Sequence, residues 1–359
     1  MPRWLALLDG PQTLGRGPAF WFVFALLVVA TGLLPAVVDA FAITNLTYFL
    51  VWVFMALGLS IIWGYAGILS FGQTAFFGLA GYTYGVISIN LGDAGLWTWF
   101  ALLMSLVLPA VVAAFVGYFM FYGGVRDVFV GIVTLSITLV FETFMAQTAG
   151  PEWTIGSARL NGFNGMSNMP PLTFPWGETP IVFDGPSLFW LVLALVVVVY
   201  LGLRIVVNSR FGNVLVAIRE NPDRAEMLGY NVRLYQLFVF VIGSVLAAMS
   251  GVLYTLWGAY ITPSSMGLTA AALPIIWVAA GGRKDITATL LATVFLTWLS
   301  QQLAVKGNQY ALIWMGFILL VVVLFAPEGL FVTVWNRLRD RRRLRRVATA
   351  RKTVSLPSA

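Results

Sequence analysis

Apolar runs about twenty residues long, divided by short polar or Gly/Pro-rich breaks, fill most of this chain. A bilayer core of roughly 30 Å demands helical runs of about 20 residues. Reading the runs and their breaks gives ten predicted spans, at 19–38, 46–63, 73–91, 96–121, 128–147, 187–206, 234–258, 268–281, 286–304 and 310–326. The eighth is short for a crossing and reads as tilted or broken. The pattern predicts an all-α, polytopic integral membrane protein with five spans on each side of a long connection. The two halves would then run in opposite directions, as inverted repeats do. Outside the 19–326 transmembrane domain lie an N-terminal segment, 1–18, and a tail, 327–359. The long connections are 148–186 and 207–233.

Charge orients the pattern. The chain of 359 residues is 60% hydrophobic and 10% charged, with a net charge of +7. If the first segment is cytoplasmic, nineteen of the 21 Lys and Arg residues fall inside and Arg159 and Lys306 fall outside. That asymmetry predicts both termini in the cytoplasm. The basic residues flank apolar spans, which argues for topology and against nucleic acid. The run Arg337–Arg351 reads as a solvated topology signal or as a contact for anionic lipid. The first apolar block is longer than the core of a signal peptide and reads as a retained helix. Trp21, Trp63, Trp97, Trp190 and Trp257 fall near span ends, where indole rings anchor at the interface.

Cysteine and histidine are absent. No disulfide framework, Cys/His metal site or Cys nucleophile can be built, and the commonest general base is missing. The stretch Gly281–Asp285 lacks phosphate-loop spacing, so the sequence predicts no nucleotide site and no cofactor of its own.

Three places carry polar chemistry. The loop 207–233 spells two short helices, with Val214, Ala217 and Ile218 at helical spacing and a start at Asn221-Pro222-Asp223. There Asn is the cap, Pro the first helical residue and Asp the acid of the first turn. Gly229 suits a left-handed stop. Such a pair reads either as a docking element or as an ordinary ordered loop. The second place is the fifth span, where Glu142 is the acidic residue within apolar sequence, at a cost of about 2.5–3.5 kcal/mol on insertion scales. Thr134, Thr138 and Glu142 lie four residues apart on one stripe. This is either a wall of a pathway or a structural anchor. Nearby, Ser70 and Gln73 interrupt apolar sequence beside Gly64, Gly67 and Gly72, as broken helices at a pathway do. The third is the Gly- and Asn-rich external loop, centred on Asn161 and Asn164. Gly81/Gly85 and Gly243/Ala247/Gly251 have small-xxx-small spacing and predict close helix contacts.

Gly212–Val232 (GNVLVAIRENPDRAEMLGYNV) resembles the ATPase-contacting loop of permease subunits in branched-chain amino acid ABC importers of the LivM type. Gly58–Gly85, Thr134–Glu142 (TLSITLVFE), Ile261–Met266 (ITPSSM) and Ile276–Arg283 (IWVAAGGR) are further likenesses, in family order across most of 45–330. The resemblance implies an importer of the bacterial inner membrane. Its parts would be two permeases, two cytoplasmic P-loop ATPases and a periplasmic binding protein, and it would carry branched-chain amino acids or small amides such as urea. It also implies that Arg219, Glu220, Asn221, Ala225, Glu226 and Gly229 couple the permease to the ATPase, with Gly229 ending the helix and the charged side chains touching the motor. The loop around Asn161 and Asn164 departs from the family wording, Gly-Leu-Thr-Gly. An ion- or proton-coupled secondary transporter using Glu142 is the competing reading. A single carboxylate is thin for a proton relay, and the lack of paired acids, His and Cys argues against a membrane enzyme.

Overall fold

In a computed structural model, residues 3–305 are described apart from 93–94 and 177–179, with scattered positions between 310 and 335. The predicted tenth span, 310–326, lies partly outside the described residues, and the basic tail from Arg337 onward lies wholly outside them.

The helices are α1 (Arg3–Leu8), α2 (Gly17–Leu33), α3 (Ala40–Leu59), α4 (Gln73–Leu91), α5 (Trp97–Tyr122) and α6 (Val128–Gln147). Then follow α7 (Pro186–Asn208), α8 (Arg210–Glu220), α9 (Pro222–Met227), α10 (Val232–Gly258), α11 (Leu268–Gly281) and α12 (Ile286–Val305). Each of the first nine predicted spans overlaps one of these helices. Among the described residues, seven helices are long and apolar enough to cross a membrane, fewer than the ten expected. One of the three missing spans is 310–326, which is described only in part, and the other two have physical causes. α4 carries Gln73, Thr74, Thr83 and Ser88, all buried against protein, so its surface need not match lipid. α11 has 14 residues, about 21 Å of helix at 1.5 Å per residue.

One boundary moved by six residues. α3 starts at Ala40 rather than 46 because Asp39 caps it, accepting from the Ala42 N–H at 3.0 Å. The hydroxyls of Thr44 and Thr47 donate to carbonyls one turn back, which lets polar residues sit inside the helix.

α10 is the hub of the bundle and packs on α3, α4 and α5. The small-residue seam explains how. A side chain at Gly243 would strike Ile62 and the Gly58 carbonyl, and one at Gly251 would strike the Phe77 backbone. Residues Val51–Leu59 of α3 are buried on every face. α2 is peripheral, with no buried residue, and meets α7 where the Trp190 indole donates to the Gly32 carbonyl at 3.0 Å.

The long connection 148–186 lies at the far end of the bundle and is not purely irregular. β1 (Thr154–Ile155) pairs with β2 (Ala158–Arg159), and β4 (Leu172–Phe174) pairs with β5 (Ile181–Phe183). β3 (Met166–Ser167) pairs with β6 (Tyr260–Ile261), tying this loop to the link after α10. The near end carries α8 and α9.

Candidate functional site: the near-end hub

The near end is organised around an irregularity of α3. Its last turn, Ser60–Tyr65, is a π-helix, a feature that recurs at functional positions. The chain then breaks at Gly67, in a left-handed conformation (φ 78°), before α4 begins. Three elements converge on this turn. Arg219 of α8 donates from Nη1 to the Gly64 carbonyl. The turn between α11 and α12 approaches so closely that a side chain on Gly64 would overlap the Arg283 carbonyl. Ser60 donates to that same carbonyl at 3.3 Å, and the Arg283 guanidinium lies 5.4 Å from the Trp63 ring centre. Finally, the Tyr65 hydroxyl donates to the Gln12 carbonyl at 3.0 Å.

The helix pair that meets this hub is built as its sequence grammar predicts. Asn221 accepts from the Arg224 N–H at 2.9 Å and so caps α9. At the other end the Tyr230 N–H reaches the Ala225 carbonyl and the Gly229 N–H reaches that of Glu226, with Gly229 at φ 87°. That is a Schellman stop, which glycine occupies without strain. Ala225 is buried in a small cluster with Val214, Ile218 and Val232. Arg219 faces inward, its side chain 17% exposed, and also holds Glu220 at 2.7 Å. The hydrogen bond from Arg219 depresses the Glu220 carboxyl below its ordinary range. Glu220 and Glu226 are exposed. Sequence reasoning missed the tip itself: Met227 and Leu228 are 86% and 76% exposed. Two large apolar side chains standing free beside Asp223 and Arg224 were the available signal. Arg126, before α6, reaches Asp223 at 3.6 Å and braces the tip.

The pathway candidates divide. Thr134 accepts from the Phe71 N–H at 3.1 Å and Thr138 donates to the Phe71 carbonyl at 3.4 Å, so both clamp the broken segment between α3 and α4. Ser70 accepts from the Gly72 N–H at 3.2 Å. Gln73 is buried, and neither amide atom finds a partner among the described residues. Glu142 lies farther along, beside Gly267 just ahead of α11, where a Cβ would come within 2.6 Å of its carboxylate oxygen. The start of a helix favours negative charge. Asn161 and Asn164 belong to the far-end loop; Asn161 is left-handed (φ 65°) and donates to the Gly165 carbonyl at 3.1 Å. The structure therefore gathers the α8–α9 residues at the near end, the Ser70–Thr138 set around the break, and the asparagines at the far end. Among the described residues no cluster of acids could hold a metal.

Helices that bury polar groups among themselves and show apolar flanks define a multi-pass membrane protein. Residues 41–326 match the family of branched-chain amino acid transport system permease components, and the chain belongs to that family. It is 24% identical over 328 residues to the high-affinity branched-chain amino acid transport system permease protein LivM of Escherichia coli, covering 86% of this chain and 74% of that one. It is also 24% identical over 330 residues to a probable branched-chain amino acid transport permease protein LivM of Methanocaldococcus jannaschii, covering 79% and 91%. No solved structure matches the chain.

Proposed function

We propose that this chain is a non-catalytic permease subunit of an ATP-driven importer, carrying branched-chain amino acids or small amides into the cytoplasm by alternating access. Two P-loop ATPases would bind at the near end, a second permease would complete the pore, and a periplasmic binding protein would deliver substrate at the far end. The near end is then the cytoplasmic face of a bacterial inner membrane, with both termini on that side.

The observation that carries this reading is the α8–α9 pair. It is fixed from behind by Arg219 on Gly64 and by the buried Ala225, and it offers Met227 and Leu228 outward. An exposed apolar pair on a rigid mount is suited to a groove on a partner, while free in solution it is a liability. Arg219 thus transmits motion into the π-turn, and Glu226 and the apolar tip are the groups that touch the motor. Along the pathway, Thr134, Thr138 and Ser70 shape the broken segment, and Gln73 and Glu142 supply polar groups to substrate.

Replacing Met227 and Leu228 with Asp tests the reading. Purified from its own membrane in mild detergent, the parent chain brings P-loop ATPases with it. The double variant should be inserted at normal abundance and lose most of that ATPase, tenfold or more. ATPase recovery equal to the parent's would contradict the docking role.

A further inference from the structure

The segment Asp9–Gly17 is built as a strap. Asp9 accepts from the Gly17 N–H at 3.2 Å and from the Trp21 indole at 2.9 Å, which closes the loop on itself. Arg204 of α7 is completely buried beneath it and donates to the carbonyls of Leu8, Leu14 and Gly15, at 2.8, 3.1 and 2.7 Å. Phe20 and Trp21 stack on its guanidinium at 4.9 and 5.1 Å. The Leu14 N–H is donated to Asp285, which also accepts from the Ala288 N–H at the start of α12. Leu14 of the strap therefore sits between a buried cation on α7 and the buried carboxyl of Asp285, just ahead of α12.

Gln12 makes three further connections. Its N–H donates to Asn208 Oδ1 at 2.9 Å, at the last residue of α7, and its carbonyl accepts from Tyr65 of the π-turn at 3.0 Å. Its side-chain amide donates to Asn213 of α8. A buried charge held by fixed backbone carbonyls, with few alternatives available to it, resists displacement. The strap thus ties α7, α12 and the π-turn into one unit, and Gln12 joins that unit to α8.

We propose that the 9–17 strap is a positioning element of the coupling apparatus, with the Gln12–Asn213 side-chain bond setting α8 so that a push on α8–α9 moves α7, α12 and the π-turn together. This inference rests on the importer reading. In that reading α8 follows α7 with one residue between them; Arg219 pins its far end to the π-turn, and the Gln12–Asn213 bond holds its first turn, so that without the bond this end could shift about Ser209.

The test reconstitutes the complete importer, purified through this chain, in proteoliposomes and measures leucine or urea taken up per ATP hydrolysed. Gln12 is half-buried and Asn213 exposed, so Gln12→Ala and Asn213→Ala leave the buried strap contacts in place. Each should lower the uptake per ATP at least threefold, with apparent substrate affinity and bound ATPase unchanged. The double variant should be no worse than either single one. The swapped pair, Gln12→Asn with Asn213→Gln, keeps an amide on each side and should restore most of the ratio. A merely structural role would lower abundance and leave the ratio alone. ATP-driven uptake in the parent with an unchanged ratio in both single variants overturns the strap's role. Absence of ATP-driven uptake in the parent itself overturns the importer reading, and the strap's role with it.

Discussion

Asp285 is a carboxylate placed where water is scarce, and burial raises its pKa despite three backbone donors and the nearby Arg204 charge. A raised folded-state pKa means that the folded chain holds this proton more tightly than the unfolded chain. Its contribution to stability is therefore full below about pH 3.9, the ordinary aspartate value, and is lost as pH rises through the raised value. Asp285→Asn removes that dependence. Between pH 4 and pH 8 the parent's unfolding temperature in detergent should fall relative to that of the variant. Parallel profiles would contradict the assignment. Glycines give a second residue-scale contrast. Gly64→Ala pushes a methyl group into the Arg283 carbonyl and should cost about 1–3 kcal/mol. Gly202→Ala on α7 meets nothing within 4 Å and should be neutral or stabilising by up to about 1 kcal/mol. Melting curves of the two variants decide it. At this scale the sequence was partly legible. Asn221 and Gly229 announced their caps through local rules. Arg204, counted as one topology charge among nineteen, gave no sign that it would be buried, because the carbonyls that hold it lie 189 to 196 residues away.

Among the elements, the break between α3 and α4 is the part on which most others depend. Its backbone is held by side chains of α6, so Thr134→Val leaves the part-buried Phe71 N–H without its acceptor. That should cost about 1–3 kcal/mol and slow transport, while Thr134→Ser keeps the oxygen and most of the stability. Equal stability of the Val and Ser variants would show that the bond is dispensable. The Thr134/Thr138/Glu142 stripe was visible as a period of four, yet its members part company in three dimensions. The two threonines clamp Phe71, and Glu142 meets Gly267 a helical turn beyond. Period reports a shared face and not a shared partner. The seven longest apolar helices were legible because lipid-facing surface must be apolar along its whole length. The π-turn, the strap and the far-end strand pairs were not, since each depends on contacts between segments far apart in sequence.

At the scale of the whole molecule, the proposed importer would take its push at the near end and pass it to a bundle packed along the α10 seam. Glycine contacts at Gly58–Gly243 and at Gly251 let α3, α4 and α10 approach backbone to backbone, which suits rigid-body motion of packed helices. Nothing in such a device requires a proton relay. The competing scheme would place the energy input at Glu142. The measurement that separates the two is uptake of labelled leucine, or of urea, into proteoliposomes. They hold the assembly purified through this chain, with the binding protein supplied outside and ATP sealed within on the side of the ATPases. The account predicts uptake that requires ATP, persists when ion and proton gradients are collapsed, and survives Glu142→Gln at least in part. Uptake by this chain alone, driven by a proton or sodium gradient and abolished by Glu142→Gln, would contradict it.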